Sequence, residues 1–170
     1  LNGTYYNSLN STYRNMISPS TYYLGGATRS NYQTLTASGY YNAERDSTQV
    51  YSGNPESTTQ NIGLMYPSDY GYAAGEDCKS TALNSYYNSS CKNTNYLFSR
   101  VSEWLQAPIA SYSSSAAILF SLGYVYGGGI NVYTDSYAVR PVLYLNSNVQ
   151  ITDGIGSQSN PFKLLSDGQF

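Results

Sequence analysis

The chain has 170 residues, only 11% of them charged, with a formal net charge of −2 and no histidine. A length of this order suits about one ordinary domain around a single apolar core, and so few lysines and arginines exclude a surface that neutralises the phosphates of a nucleic acid. Twenty-one tyrosines raise the aromatic content to 15%, which is the opposite of a disordered composition.

In "GTYYNSLNSTYRNMISPS" the larger apolar residues Tyr6, Leu9, Tyr13, Met16 and Ile17 fall on one helical face. The spacing predicts a helix over residues 5–17, stopped by Pro19. "TYYLGG" reads as a short strand ended by a glycine pair, and "LTASGYYNAERDS" and "STQVYSGNPEST" read as loops or short hairpins rich in turn residues. In "NIGLMYPSDYGYAAG" residues 62–66 read as a buried strand that runs into an extended Pro-Ser-Asp segment. Cys78 and Cys91 are the only cysteines, and with no histidine to complete a zinc site they are expected to form a disulfide. Closing that loop is worth about 3 kcal/mol and implies an extracellular compartment.

In "NTNYLFSRVSEWLQAP" residues 96–99 read as one helical turn and residues 103–107 as a strand ended by Pro108, which places Trp104 as a core-packing residue. "AAILFSLGYVYGGGINVY" reads as two or three strand pieces joined by tight glycine turns. The triple glycine Gly127–Gly129 lacks the Lys-Ser/Thr and helix start of a phosphate loop, so a hairpin turn is expected there. "YAVRPVLYLN" reads as one strand in which Pro141 must sit at an edge, a bulge or a non-bonded position. The tail reads as a "VQIT" strand, a glycine loop and a "PFKL" strand. The class is α+β, with one clear helix, a second short one and many short strands, in a single domain over residues 1–170. No apolar run of about 18 residues crosses a membrane within this chain. Beginning directly at Leu1 without a signal peptide, the sequence reads as processed or truncated at its N-terminus.

Without histidine, Ser-His-Asp and Cys-His catalysis and imidazole metal sites are excluded. A glycosidase would need two apposed carboxylates, and nothing in the spacing of Glu44, Asp46, Glu56, Asp69, Glu76, Asp77, Glu103, Asp135, Asp153 and Asp167 singles out a pair. Glu76-Asp77 and "TDGIGSQSN" do not match a calcium loop, so neither enzymatic activity nor a metal or cofactor is expected. Arg140 lies between Val139 and Pro141 in an apolar strand. A guanidinium placed there needs its donors satisfied, so it is expected to tie loops together through backbone carbonyls or an acid such as Asp69. Residues 112–137 are dense in Tyr, Ser, Gly and Asn, the composition of adaptable recognition surfaces.

"LNGTYYNSL", "YRNMI", "YYLGG", "IGLMYPSDYGYA", the cysteine pair and "YAVRPVLYLNSNVQITDGIGSQSNPFKL" resemble a family of uncharacterised clostridial secreted or surface domains, often found behind a prepilin-like helix. That family is similar to the C-type-lectin-like fold of formylglycine-generating enzymes and of diversity-generating-retroelement variable proteins. The resemblance implies one or two helices packed on short twisted antiparallel sheets with long loops, and residues 139–142 as the anchoring strand before which the display surface lies. The sugar-selecting tripeptides of calcium-dependent lectins and the copper-binding cysteines of formylglycine chemistry are absent from this sequence. The expectation is therefore a calcium-independent, non-enzymatic module, secreted or anchored at a cell surface through a part outside this chain. It would bind a protein or glycan through Tyr112, Tyr124, Tyr126, Tyr133, Asp135 and Tyr137, with Arg140 and Trp104 structural. The alternative is a structural subunit of a pilus-like filament, its tyrosine face packed on a neighbouring copy. The sequons at Asn2, Asn10 and Asn88 carry sugar only in a host that has the enzyme.

Overall fold

The computed structural model describes residues 1–157 and 159–166. In chain order the elements are α1 (Thr4–Ser8), α2 (Ser11–Asn15), β1 (Ile17–Ser18), β2 (Ser20–Tyr23), α3 (Ala37–Arg45), β3 (Ser57–Gln60), β4 (Gly63–Leu64), α4 (Pro67–Tyr72) and α5 (Cys91–Thr94). They are followed by β5 (Glu103–Ile109), β6 (Tyr112–Leu119), β7 (Val125–Asn131), β8 (Pro141–Val142), β9 (Tyr144–Leu145), β10 (Val149–Asp153) and β11 (Lys163–Ser166). The chain is thus α+β, with short helices and small sheets. Among the described residues no helix is long and apolar enough to cross a membrane.

These elements fall into two compact units. The first comprises Leu1–Ser20, Gln60–Ile62 and the described residues from Leu143 onward. Its helix is not the continuous one expected over residues 5–17: Leu9 turns extended, and Asn10 caps a new helix by accepting a bond from the Thr12 amide at 2.9 Å. Asparagine at this position satisfies an amide that a continuing helix would have bonded to its own backbone, so the chain restarts. Asn2 brackets Ile62, accepting from its amide at 2.9 Å and donating to its carbonyl at 2.7 Å. The pair β1–β9 and the hairpin β10–β11 are antiparallel; the first tail strand lies where the sequence placed it, while the second begins at Lys163, two residues later than the expected "PFKL".

The second unit, Thr21–Thr59 and Gly63–Val142, contains the largest sheet, ordered β5-β6-β7 and antiparallel throughout. Along β5 the side chains alternate strictly: Glu103, Leu105, Ala107 and Ile109 are buried, and Trp104, Gln106 and Pro108 are half-buried. The strand continues through Pro108 and does not stop before it. Trp104 is accordingly not a core residue, and it packs edge-on against Tyr137 with ring centroids 5.2 Å apart. Residues 96–99 form turns and irregular backbone, whereas the short helix at this point is α5, starting on Cys91.

Two segments expected to lack helix are helical. In α3 the buried residues Ala37, Tyr40, Ala43 and Glu44 recur at helical spacing, and Thr36 caps the first turn by accepting from the Gly39 amide. α4 begins where an extended Pro-Ser-Asp was expected, because Pro67 occupies a first-turn position whose missing N–H costs nothing. Asp69 accepts from the Tyr66 amide at 3.1 Å. The core joins Tyr40 of α3, Tyr70 of α4, Leu105, Ala107 and Ile109 of β5, Ala117 and Leu119 of β6 and Val125 of β7, all at most 2% exposed.

"YAVRPVLYLN" is not one strand. Ala138 bridges Glu103 in parallel, β8 pairs with β4, and β9 pairs with β1. Pro141, opposite Leu64 in the two-residue β8, has a neighbouring strand on one side only, the edge position that its missing donor requires.

Glu44 is fully buried, where it accepts from the Ser68 amide at 2.9 Å and the Ser68 hydroxyl at 2.5 Å and pairs with Arg45 at 3.0 Å. Burial, the largest influence, pushes its carboxyl up to about 7 against the lowering effect of these partners. Between the ordinary carboxylate value and about 7 the folded chain holds a proton that the unfolded chain has lost. The Glu44 contribution to stability is therefore complete below about pH 4.3, and it falls as pH rises by up to about 1.4 kcal/mol per pH unit. Urea midpoints measured from pH 5 to pH 8 are expected to decline, and Glu44→Gln is expected to flatten that decline. An unchanged profile in the variant would show that the carboxyl is already charged at pH 5.

Candidate functional site

The candidate site is a depression of about 330 Å³ in the second unit, lined by Tyr32, Asn84, Tyr87, Leu122, Tyr124 and Tyr126. Three stretches of chain build it. Tyr32 comes from the segment before α3, Asn84 and Tyr87 from a 3₁₀ turn at Leu83–Asn88, and the others from the β6–β7 connection and the start of β7.

The 3₁₀ turn explains two of these side chains. Residues three apart eclipse in such a turn, so Leu83 and Tyr86 point inward and are fully buried, while Asn84 and Tyr87 share the next face and line the depression. The Cys78–Cys91 disulfide, as expected, closes the loop that carries this turn. The Leu83 amide donates to the Leu35 carbonyl at 3.0 Å, the Tyr86 hydroxyl donates to the Gly71 carbonyl at 3.2 Å, and Asn84 donates to the Val125 carbonyl at 3.3 Å.

The triple glycine answers to the same site. Gly127–Gly129 lies within β7 and not in a turn; the turn itself is at Ser121-Leu122-Gly123. A Cβ on Gly127 would lie 2.4 Å from the Tyr40 hydroxyl and 2.8 Å from the Tyr32 Cβ, and one on Gly128 would lie 2.7 Å from the Tyr126 ring. The glycines are the floor over which these tyrosines lie.

The rings form one continuous chain. Tyr87 meets Tyr124 at 5.0 Å, Tyr124 meets Phe120 at 4.9 Å, Phe120 meets Tyr126 at 5.9 Å, and Tyr126 meets Tyr32 edge-on at 5.2 Å. Each such contact adds about 0.5–1.5 kcal/mol beyond the area it buries, so the tyrosines are held in place before any ligand arrives. Burial, reinforced by neighbouring tyrosines, raises the phenols of both Tyr124 and Tyr126. Their hydroxyls stay neutral near pH 7, able both to donate and to accept.

No family model, curated protein or solved structure matches the chain. The functional reading therefore rests on this geometry.

Of the side chains expected to bind a ligand, the structure brings only Tyr124 and Tyr126 into the depression. Tyr112 lies under the Arg29 guanidinium, 3.8 Å from its ring centre, and Arg29 also donates to the Gly128 carbonyl at 2.9 Å. Tyr133 and Asp135 are exposed on the stretch between β7 and β8, and Tyr137 is held against Trp104. Arg140 pairs with an acid other than the Asp69 expected. It grips Glu103 through two nitrogens, at 2.6 and 3.0 Å, and donates to the Ser99 hydroxyl at 3.1 Å, whereas Asp69 caps α4. Among the described residues no three His, Cys, Asp or Glu side chains converge as a metal site.

Proposed function

We propose that this chain is an extracellular, non-enzymatic recognition module of C-type-lectin-like fold that seats a protein or glycan ligand on the Tyr32-Tyr87-Tyr124-Tyr126 depression without calcium. The observation that carries this reading is the convergence, from three separate stretches, of four tyrosines, an asparagine amide and a leucine on one preformed depression. Uncharged rings offer stacking faces, and their hydroxyls and the amide fix orientation, which is the usual make-up of a small-molecule or glycan subsite. A buried disulfide supports an oxidising location.

The test is a glycan, peptide and whole-cell binding screen of the purified chain beside a Tyr124→Ala/Tyr126→Ala variant. Truncating anchoring aromatics costs about 2 kcal/mol or more, so affinity is expected to fall roughly 30-fold or further while the near-ultraviolet circular dichroism retains its folded form. Tyr133→Ala, which removes an 82% exposed ring outside the depression, is expected to leave affinity unchanged. A folded wild type that binds nothing and polymerises with concentration would replace this reading with the filament subunit.

A further inference from the structure

Beside the tyrosine depression lies a second cavity of about 200 Å³, lined by Lys92, Asn93, Phe98, Arg100, Ser121 and Leu122. Leu122, 59% exposed at the β6–β7 turn, lines both. The two cavities are further tied by Lys92, whose ammonium donates to the carbonyl of Tyr87 at 3.2 Å, while the Tyr87 ring lines the depression.

The charge in this second cavity is unusual for the chain. Of its eight cationic side chains, Arg45, Lys79, Arg140 and Lys163 are paired with carboxylates, Arg29 lies over Tyr112 and donates to the Gly128 carbonyl, and Arg14 stands in the last turn of α2. Lys92, which spends one of its three donors on the Tyr87 carbonyl, and Arg100 line the same cavity, and no carboxylate is among its lining side chains. Arg100 also has a φ of +57°, the only positive φ at a non-glycine among the described residues. A left-handed backbone is costly for a residue with a Cβ, and such strain concentrates where a side chain is held for a ligand. Glycine would satisfy that backbone without cost; an arginine there is explained by its guanidinium.

We propose that the module takes an acidic saccharide, its sugar ring on the tyrosine depression and its anionic group in the cavity between Lys92 and Arg100. The inference rests on the recognition reading above and adds the class of ligand. A pyranose offers C–H faces to the rings and hydroxyls to Asn84 and the phenols, and a carboxylate or sulfate on the adjoining carbon or residue reaches past Leu122 to the two cations. Charge-assisted bonds of this kind are roughly twice as strong as neutral ones, and they give a salt dependence that neutral stacking lacks.

Calorimetric titration with an oligoglucuronate, its methyl ester and a sulfated galactan oligomer tests the inference. The acid is expected to bind about tenfold more tightly than the ester, a difference of about 1.4 kcal/mol, and to lose that advantage in 0.5 M salt. Lys92→Gln and Arg100→Gly are each expected to remove the preference while retaining ester binding, and Tyr124→Ala/Tyr126→Ala to abolish both. Arg100→Gly is also expected to raise the unfolding midpoint by relieving the backbone, so loss of selectivity arrives with a gain in stability, which a purely structural arginine would not produce. A sulfated oligomer that outcompetes the uronate assigns the anion as a sulfate ester. Equal binding of acid and ester, abolished by the tyrosine variant, overturns the acidic-saccharide inference and leaves the recognition reading standing. Binding of neither overturns the inference, and the peptide and cell arms of the screen then decide the recognition reading.

Discussion

Replacing Arg140 by alanine is expected to destabilise the second unit by about 3–5 kcal/mol, the cost of leaving a buried charge without its partner. The Glu103 side chain is 4% exposed at the first position of β5, while the Arg140 side chain, 28% exposed, reaches it from the segment that bridges β5 at Ala138. Two backbone bonds, Trp104 to the Ala138 carbonyl at 2.9 Å and Ala138 to the Ser102 carbonyl at 3.1 Å, fix that segment against the strand. The guanidinium therefore meets a carboxylate that cannot turn to water. Removing the cation alone strands the anion, whereas removing both groups does not. Glu103→Leu/Arg140→Met is accordingly expected to recover most of the loss, since a buried pair replaced by apolar residues of similar volume is often neutral. Guanidinium denaturation of the wild type and these two variants gives the contrast directly. A loss of less than about 1 kcal/mol in Arg140→Ala would mean that the pair behaves as a surface ion pair.

That pair marks the limit of what could be read in the sequence. An arginine flanked by apolar residues and a proline is legible as a structural cation, but its acid lies 37 residues away, and no local spacing connects the two. The same holds for the depression. Tyr124 and Tyr126 are visible by composition, yet Tyr32 and Tyr87 join them only because the disulfide loop and the segment before α3 fold onto β7. One signal was available: in "LNSYYN" the alternation of inward Leu83 and Tyr86 with outward Asn84 and Tyr87 has the period of three that belongs to a 3₁₀ turn. α3 escaped because its buried stripe consists of two alanines, a tyrosine and a glutamate, too little large aliphatic surface for its periodicity to register. Strand pieces bounded by clear turn residues, such as β2 and the β10–β11 hairpin, were readable for the opposite reason, since their ends are set locally.

The glycine pair after β2 was legible only as punctuation, and its larger consequence is steric. Gly26→Ala is expected to cost about 3 kcal/mol or more, at the upper end of what overpacking exacts, because its Cβ would lie 2.0 Å from the carbonyl oxygen of Pro108. The obstacle is backbone, not the end of a flexible side chain, and it belongs to β5, which is bonded to β6 on one side and receives the Ala138 bridge at its start. Residue 26 cannot withdraw either: its amide donates to the Gln49 carbonyl at 3.1 Å, and the next carbonyl, of Ala27, accepts from the Ala110 amide at 3.1 Å. Gly3, where a Cβ would meet nothing within 4 Å, is the control, and Gly3→Ala is expected to stay within about 0.5 kcal/mol of wild type. In a thermal melt Gly26→Ala is expected to lose roughly 10 °C. The loss should extend to binding even in the fraction that remains folded. A Cβ on Gly127 would sit 3.3 Å from the Ala27 Cβ and 2.8 Å from the Tyr32 Cβ, so a shift of residues 26 and 27 alters the packing on the same glycine over which Tyr32 lies. If Gly26→Ala melts like wild type, β5 yields more readily than its hydrogen bonding implies, and the glycine floor would then have to be tested separately through Gly127→Ala.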